Sequence, residues 1–426
     1  MDRRAFTQPR HFRRSDNLDD YAARNRRRSS SEELLHHQAA AKAATVLEVA
    51  ESVIRASDAS RPADKVLRDT LRSHRGLEPD ETAAVARAVF SYFRWLPWLD
   101  PAQPPAERIE AAVALADRFA RDPQAWPADD LRRAVPDWVG EFMDLTPGWL
   151  RALQTEPVLW LRARRGTGAK LAERLEHCQP AGTGELADAL LYSGREDLFR
   201  SPEFHAGDFE LQDLHSQAVA LICAPRPGET WWDACAGEGG KTLHLSALME
   251  NQGQLWASDR ADWRLNNLKR RAARAGVFNY RMQVWDGSEE LPTRTLFDGV
   301  LVDAPCSNLG TWHRNPHARW TCSANDIAEL AQLQAVLLDH AAMAVKAGGK
   351  LIYSVCTLTR PETTEIAASF GAQHPDFVPL ELSNPLDPAA PPASQIWLRQ
   401  EDRPGNGMFI AAWRRQPVAE AELGGS

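Results

Sequence analysis

Apolar residues recur every three or four positions through the first third of the chain. The pattern runs through AATVLEVAESVI, ADKVLRDTLRSH and DETAAVARAVFSYFRWL and continues in ERIEAAVALADRFA and PDWVGEFMDL. Such spacing puts the apolar residues on one face of an α-helix. The sequence therefore predicts an all-helical domain over residues 41–140. Residues 1–40, which are Arg-rich and not periodic, are predicted to form a disordered basic tail.

The pattern changes near Trp160. VLWLRARRG is typical of a strand, AKLAERLEHC of a helix, and ADALLYSG and FELQD of two further short strands. With the helical residues before them, these segments predict a linker helix and a small α+β module over residues 141–208.

Strands and helices alternate over residues 209–416. Apolar runs such as ETWWDAC, QLWASD and FDGVLVDAP are separated by helical patterns, of which NDIAELAQLQAVLLDHAAMAVKAG is the longest. This alternation predicts an α/β fold, in which a parallel sheet is covered by helices on both faces. The closing run MFIAAWRR predicts an antiparallel strand at the edge of the sheet, and residues 417–426 a short tail.

Composition narrows the class of protein. Of 426 residues, 43% are hydrophobic and 25% are charged, as in an ordinary globular protein. No apolar run is long enough to span a membrane, and the N-terminus lacks the apolar segment of a secretory signal. The six cysteines include no C-x-x-C pair, which argues against a zinc site and a disulfide framework. We therefore expect a cytoplasmic protein that binds neither metal nor membrane.

Charged residues are distributed unevenly along the chain, so the net charge alone is a poor guide to binding. The net charge of −8 does not indicate a nucleic-acid-binding protein, but binding follows local patches. Nine arginines lie within the first 28 residues, and LKRRAAR covers residues 268–274. Both runs are candidates for RNA contact. The alternatives are an unstructured tail for the first and a solvated helix face for the second.

A glycine-rich turn joins the strand and helix of WWDACAGEGGKT. Gly237, Gly239 and Gly240 allow the backbone to approach a ligand closely. The next strand ends in Asp259, where a carboxylate can bind ribose hydroxyls, and the third is expected to end in Asp286, where one can bind a purine amino group. Two acids in these positions favour, as ligand, an adenosine with a cationic tail over an adenosine with phosphates. NAD binding, or a role of both acids as turn formers, remains open; the spacing of a P-loop is missing.

Two cysteines follow strands of the predicted sheet. Cys306 comes directly after VLVDAP, three residues beyond Asp303, and Cys356 ends GKLIYSVC. Cysteine is often a small buried apolar residue, and we assign that role to Cys178, Cys223 and Cys322. A thiolate can add to a heterocycle while a neighbouring acid handles a proton. Two thiols and an acid near a methyl donor are what methylation of a pyrimidine ring carbon requires.

The ordered motifs resemble those of a known family. DACAGEGGKT, ASD, VWDG, DAPCSNLGT with RNPHARW, and YSVCTLTRPETTE are similar to motifs of the RsmB-like (Sun/NOP) RNA cytosine-5 methyltransferases. The resemblance covers residues 157–415. Residues 41–136 are similar to the NusB-like domain of the bacterial branch that modifies small-subunit rRNA.

The resemblance implies a Rossmann-like methyltransferase core over residues 209–416, an RRM-like RNA-binding module within residues 141–208, and S-adenosylmethionine as cofactor. It implies that Cys356 attacks carbon 6 of a cytosine, that Asp303 contacts the base, that Cys306 assists product release and that Lys241 orders the pocket. We expect 16S rRNA as substrate and a monomer. The implied cofactor-binding residues are Cys235, Ala236, Gly237, Glu238, Gly239, Gly240, Lys241, Asp259, Arg264, Asp286 and Asp303.

The chain departs from the family pattern at several positions. These are Gly237-Glu238 in place of Ala-Pro, Thr363-Thr364 after Glu362, and single changes at Arg164, His215 and His317. No catalytic group is lost, but the departures leave the substrate open. Three alternatives follow: Cys306 as nucleophile, another RNA such as tRNA, and a catalytically silent RNA-binding assembly factor.

Overall fold

The computed structural model describes residues 40–74 and 76–417. The predicted tails, residues 1–40 and 417–426, lie outside this part of the chain except for one residue each. No helix among the described residues has the length and apolar character needed to cross a membrane.

The N-terminal part is helical, as the periodicity predicts. Its third helix opens with Pro79, and the Glu81 side chain accepts a hydrogen bond from the backbone N–H of Glu78 (2.8 Å), as is typical of a capped helix start. The helices are α1 (40–56), α2 (Ala63–Ser73), α3 (Pro79–Trp95), α4 (Pro105–Arg121), α5 (Ala128–Leu131), α6 (Val139–Phe142) and α7 (Pro147–Gln154).

A small antiparallel sheet follows, with an apolar cluster of its own around Leu161 and Phe209. Its strands run in the order β2-β3-β1-β4. Its elements are β1 (Leu159–Ala163), α8 (Gly168–Arg174), β2 (Cys178–Pro180), β3 (Ala189–Tyr192), α9 (Pro202–His205) and β4 (Phe209–Leu211).

The remaining residues form an eight-stranded sheet with helices. Its helices are α10 (Leu214–Cys223), α11 (Gly240–Leu248), α12 (Asp262–Ala275), α13 (Ala324–Ala342) and α14 (Thr364–Gln373). Its strands are β5 (Thr230–Asp233), β6 (Gln254–Asp259), β7 (Tyr280–Val284), β8 (Phe297–Asp303), β9 (Val345–Val355), β10 (Phe377–Pro379), β11 (Gln395–Leu398) and β12 (Met408–Arg415).

The strand order confirms the Rossmann-like α/β fold. It is β10-β12-β9-β8-β5-β6-β7, with β11 also paired to β12, and β5 to β9 are mutually parallel. The order reverses at β5, which lies between β6 and β8. In such sheets ligands bind beyond the carboxyl ends of the strands at this reversal.

Two sequence predictions about this sheet were wrong. β12 is antiparallel to β9 but is not an edge strand, because β10 and β11 both pair with its other side. Those strands are only three and four residues long, too short for their periodicity to stand out. The helix predicted from NDIAELAQLQAVLLDHAAMAVKAG ends at Ala342, because Val345–Gly349 continue into β9.

The second basic run is only partly a solvated helix face. Arg271 and Arg274 of α12 are mostly buried and form ion pairs with Glu210 of β4, the first at 2.9 Å. Lys269 and Arg270 are exposed. Half of the positive charge in LKRRAAR is therefore used to attach the small module.

Candidate active site

The glycine-rich turn lies between β5 and α11, at the reversal of strand order. Gly237 and Gly239 have φ angles of +55° and +86°, which favour glycine. A Cβ on Gly239 would lie 2.5 Å from the side chain of Leu268, whereas a Cβ on Gly237 would meet nothing within 4 Å. Gly239 is thus needed for packing against α12, and the backbone at Gly237 borders open space.

Asp259 at the end of β6 is buried beside this turn. Its Oδ2 accepts a hydrogen bond from the backbone N–H of Gly237 (3.0 Å), and its Oδ1 accepts one from that of Ala261 (2.8 Å). Arg264 lies 3.6 Å from the same carboxylate. The structure therefore brings Asp259, Gly237 and Arg264 together, and the carboxylate retains lone pairs for further donors.

The other residues of the turn differ in their contacts and in their exposure. Ala236 donates its backbone N–H to Ser258 (2.8 Å), and the exposed Glu238 offers only its carbonyl to Arg271 (3.0 Å). Cys235 is half-buried and packs against the core of the sheet, and burial raises the pKa of its thiol well above the ordinary value. Gly240 is half-buried and starts α11.

Asp286 lies beyond β7 and is exposed. Its side chain accepts the backbone N–H of Ser288 (3.0 Å), and hydrogen bonds from that residue lower the pKa of Asp286. Its neighbour Trp285 donates a backbone N–H to the carbonyl of Asp259 (3.3 Å). This places Asp286 along the same edge as Asp259, without direct contact between the two carboxylates.

Sequence reasoning missed Asp233, the last residue of β5. It is fully buried; Thr242 donates to its Oδ2 (2.7 Å), while its Oδ1 has no hydrogen-bond partner in the described part of the chain. Burial raises the pKa of Asp233 to about 7. The available signal was an acid ending an apolar strand immediately before a glycine turn.

Lys241 and Asp303 form a partly buried ion pair. The Lys241 Nζ lies 2.6 Å from Asp303 Oδ2, and the Ser354 hydroxyl donates to the other carboxylate oxygen (2.6 Å). Burial is the largest single influence and lowers the pKa of Lys241, but the charge and hydrogen bond of Asp303, together with the charges of Cys356 and Asp233, raise the pKa overall. Lys241 is thus a cation that holds Asp303 in one orientation.

The two predicted thiols meet because β8 and β9 are neighbours. Their register pairs Asp303 with Ser354, so Cys306 and Cys356 follow side by side, with 3.3 Å between their sulfur atoms. Cys306 is buried and Cys356 is half-buried. The hydrogen bond with Cys356, followed by burial, raises the pKa of Cys306 well above its ordinary value.

Glu362 is a fully buried acid that sequence reasoning noted only as part of a motif. Its carboxylate accepts hydrogen bonds from Ser307 N (2.8 Å), Ser307 Oγ (2.6 Å) and Thr359 Oγ1 (2.7 Å), with Thr357 and Gln334 contributing two more. It therefore ties the loop after β8 to the loop after β9 and fixes the spacing of the two thiols.

Asn308 also went unnoticed in the sequence. It adopts the left-handed conformation (φ +57°), which is uncommon for a residue other than glycine. Its Oδ1 accepts from the Cys356 thiol (3.1 Å), and its Nδ2 donates to the carbonyl of Cys306 (2.9 Å). Asn308 thus contacts both cysteine-bearing loops.

Comparison with known proteins identifies the family. Residues 220–414 match the family described as 16S rRNA methyltransferase RsmB/F. The ribosomal RNA small subunit methyltransferase B of Sodalis glossinidius is 31% identical over 356 residues, which cover 74% of this chain and 77% of that protein. The chain belongs to this family. The resemblance read from the motifs is thereby confirmed, and S-adenosylmethionine is the cofactor of the family.

Other relatives agree with this assignment. The probable ribosomal RNA small subunit methyltransferase B of Synechocystis is 36% identical over 272 residues, covering 59% of this chain and 60% of that protein. The crystal structure of PH0851 superposes with a TM-score of 0.72 at 22% identity, covering 87% of this chain and 98% of that one. At that identity the match shows the fold alone. The chain thus spans 60% of the Synechocystis relative and 77% of the Sodalis relative.

Proposed function

We propose that this protein is an S-adenosylmethionine-dependent RNA cytosine-5 methyltransferase that acts on small-subunit rRNA. The observation that carries the proposal is the pair of thiols, 3.3 Å apart, beside the Lys241–Asp303 ion pair at the reversal of the sheet. The relatives named above as ribosomal RNA small subunit methyltransferases support the choice of RNA.

The residues of the glycine turn fit the cofactor. Asp259 retains lone pairs for ribose hydroxyls, the space next to Gly237 is open, and Asp286 is available for the adenine amino group. The buried Oδ1 of Asp233, which lacks a hydrogen bond within the described residues, suits an ammonium group. When bound, the cofactor supplies an electrophilic methyl group.

Cys356 is the residue we assign as nucleophile, because it is the more accessible thiol. Its thiolate forms a bond to carbon 6 of cytosine, and the π electrons of the 5,6 double bond move to carbon 5. Asp303, held by Lys241 and Ser354, contacts the ring nitrogen and amino group as charge develops there. Carbon 5 is then nucleophilic enough to take the methyl group.

Release requires that a base take the proton from carbon 5, so that the C–H bonding pair forms the 5,6 double bond again and the sulfur–carbon pair returns to Cys356. We assign the base to the thiolate form of Cys306, which lies beside that sulfur and takes up the proton. The target base must leave its stack to reach the half-buried Cys356 thiol, so a loop or bulge of the RNA is the expected target.

The test is a denaturing gel of Cys306→Ala, Cys356→Ala and, as a matched control, Cys178→Ala, a half-buried cysteine of the small sheet. Each is incubated with S-adenosylmethionine and either unmodified small-subunit rRNA or unmodified tRNA. We expect only Cys306→Ala to remain attached to rRNA, because the adduct forms but is not released.

Each other result rejects a part of the proposal. Retention of Cys356→Ala alone would make Cys306 the nucleophile. Methyl transfer to tRNA alone would mean that tRNA, and not small-subunit rRNA, is the substrate. No transfer by the wild type, with no retained variant, would favour the silent assembly factor.

A further inference from the structure

The small module and the core enclose a cavity of about 520 Å³ where they meet. β1 and β4 form one side, and α11 and α12 form the other. The charged residues that line it are Arg162, Arg164, Arg165, Glu210, Glu250 and Arg274. Arginines thus outnumber acids four to two on its wall.

Arg162 is the unusual member of this set. It is only 7% exposed, and in the described part of the chain no carboxylate lies within 4 Å of it. Its Nε donates to Gln212 (2.6 Å), and neither Nη has an acceptor among the described residues. Both Nη atoms keep access to space, because Arg162 lines this cavity and a second one of about 380 Å³.

The acids around Arg162 are already engaged. Glu210, its cross-strand partner in register, binds both Arg271 (2.9 Å) and Arg274. Glu250 pairs with Arg165 at 2.7 Å. Glu210 therefore already pairs with two guanidinium groups, which leaves Arg162 as a buried charge without its own partner, a costly arrangement.

Two other groups face Arg162 across the second cavity. Asp188 uses both carboxylate oxygens to accept the backbone N–H groups of Gly166 (2.7 Å) and Gly168 (2.9 Å). Burial, and then the charge of Arg162, lowers the pKa of His244 well below its ordinary value. Neither supplies the missing acceptor: among the described residues, no oxygen of Asp188 lies within 4 Å of the Arg162 guanidinium, and the His244 ring forms no hydrogen bond with it.

We propose that this cavity binds a backbone phosphate of the RNA substrate, with Arg162 at its base and Arg164 and Arg165 at its mouth. The proposal rests on the proposed function above. A phosphodiester carries one negative charge and two free oxygens, which match the single uncompensated guanidinium and its fork of donors. Arg164, an asparagine in the family pattern, adds a positive charge to this mouth.

The test is Arg162→Gln in the full chain, which keeps a donor for Gln212 but removes the charge. Binding of unmodified small-subunit rRNA is measured as a function of salt. One lost phosphate contact lowers the slope of log affinity against log salt by about 0.7 to 0.9. The matched control is Arg87→Gln, at a half-buried arginine of α3 that is paired with Asp117 (2.6 Å) and Glu156 (2.9 Å); this variant should leave the slope unchanged.

A second variant covers the case in which Arg162→Gln does not fold. Arg165→Gln alters an exposed residue at the mouth and should also lower the slope. Inorganic phosphate is tested separately, by the thermal shift it gives at constant ionic strength. A phosphate-dependent shift that Arg165→Gln abolishes, combined with an unchanged RNA slope, would mean a free-anion site and would overturn the proposal.

The outcomes separate this proposal from the proposed function. If the wild type methylates rRNA and both folded variants bind RNA with the wild-type slope, the phosphate site is wrong and the function stands. If the wild type binds RNA without transferring a methyl group, while the variants lose slope, the site stands and the function is wrong.

Discussion

The helical region and the small module are attached to the core by different forces. The helices share one apolar cluster with the active-site loops, because Leu309, Trp312 and Leu358 pack among them. The small module has its own apolar cluster around Leu161 and Phe209, and it contacts α12 through the ion pairs of Glu210. The first attachment is apolar with buried hydrogen bonds, whereas the second combines the ion pairs of Glu210 with an apolar contact of Trp160 and Leu186 with Leu214 of α10.

Arg319 shows what the first attachment does. This fully buried residue donates to the carbonyls of Leu153 (2.6 Å) and Trp312 (3.2 Å) and to Gln154 Oε1 (2.6 Å). Trp312 lies two residues after Gly310, whose N–H donates to the carbonyl of Cys356 (3.0 Å). A continuous series of hydrogen bonds thus joins the helices to the proposed nucleophile.

The two attachments should differ in their sensitivity to salt. The helical attachment uses neutral acceptors, so salt should affect it little. The attachment of the small module uses charged partners that are about one-fifth exposed, so salt should weaken it. The helices therefore share a core with the loops of the candidate site, whereas part of the attachment of the small module depends on charge.

The largest expected effect is that of Arg319→Met. Several buried acceptors on both sides of the attachment lose their donor, and each costs about 1 to 3 kcal/mol. We expect the free energy of unfolding to fall by about 3 to 5 kcal/mol, with faster hydrogen exchange in residues 309–320. The matched control is Arg360→Met, which removes an exposed arginine that donates to the carbonyl of Glu141 at the same attachment. Equal effects of the two variants would contradict this account.

A smaller effect is expected from Glu210→Gln. The neutral amide leaves Arg271 and Arg274 without their shared charge, and the loss should be about 2 to 3 kcal/mol at low salt. The difference from wild type should shrink as salt is added, since salt already weakens the native pairs. Unfolding by denaturant at two salt concentrations measures it. Glu250→Gln, at an exposed pair, is the control and should cost less than 1 kcal/mol.

Much of the α/β core could be predicted from the sequence because its strands and helices show in the pattern of short, continuous segments. Alternating apolar runs gave the parallel sheet, and the acids and thiols were found because each directly follows a strand. The two cysteines that follow strands in the sequence come together because those strands, β8 and β9, are paired.

The missed residues depend on contacts between distant parts of the chain. Arg319 is defined by Leu153 and Gln154, more than 160 positions away, and Glu362 by Ser307, 55 positions away. Nothing in the local pattern of either residue distinguishes it from a solvated charge. The same is true of Arg162, whose lack of a carboxylate partner among the described residues is visible only in three dimensions.

The smallest expected effect is a dependence of stability on pH that arises at the helical attachment. His313 is buried in the helical attachment, where its Nδ1 accepts from the Gln400 amide (2.8 Å). Burial, and then the charges of Arg314, Arg94 and Arg319, lower the pKa of His313 well below 6.5. As pH falls below 6.5 the unfolded chain takes up a proton that the folded protein does not, so stability is lost toward acid.

This slope is at most about 1.4 kcal/mol per pH unit for one histidine. It is measured by denaturant unfolding at pH 7.5, 6.5 and 5.5, conditions chosen at about one-unit steps around the ordinary histidine pKa. His313→Asn keeps an acceptor for Gln400 but cannot titrate, so the variant should lose less stability toward acid than wild type. His74→Asn, at an exposed histidine of the helical region, should retain the full wild-type slope. If His313→Asn also retained the wild-type slope of stability against pH, the helical attachment would not depend on a neutral histidine. The two attachments would then differ only in their response to salt.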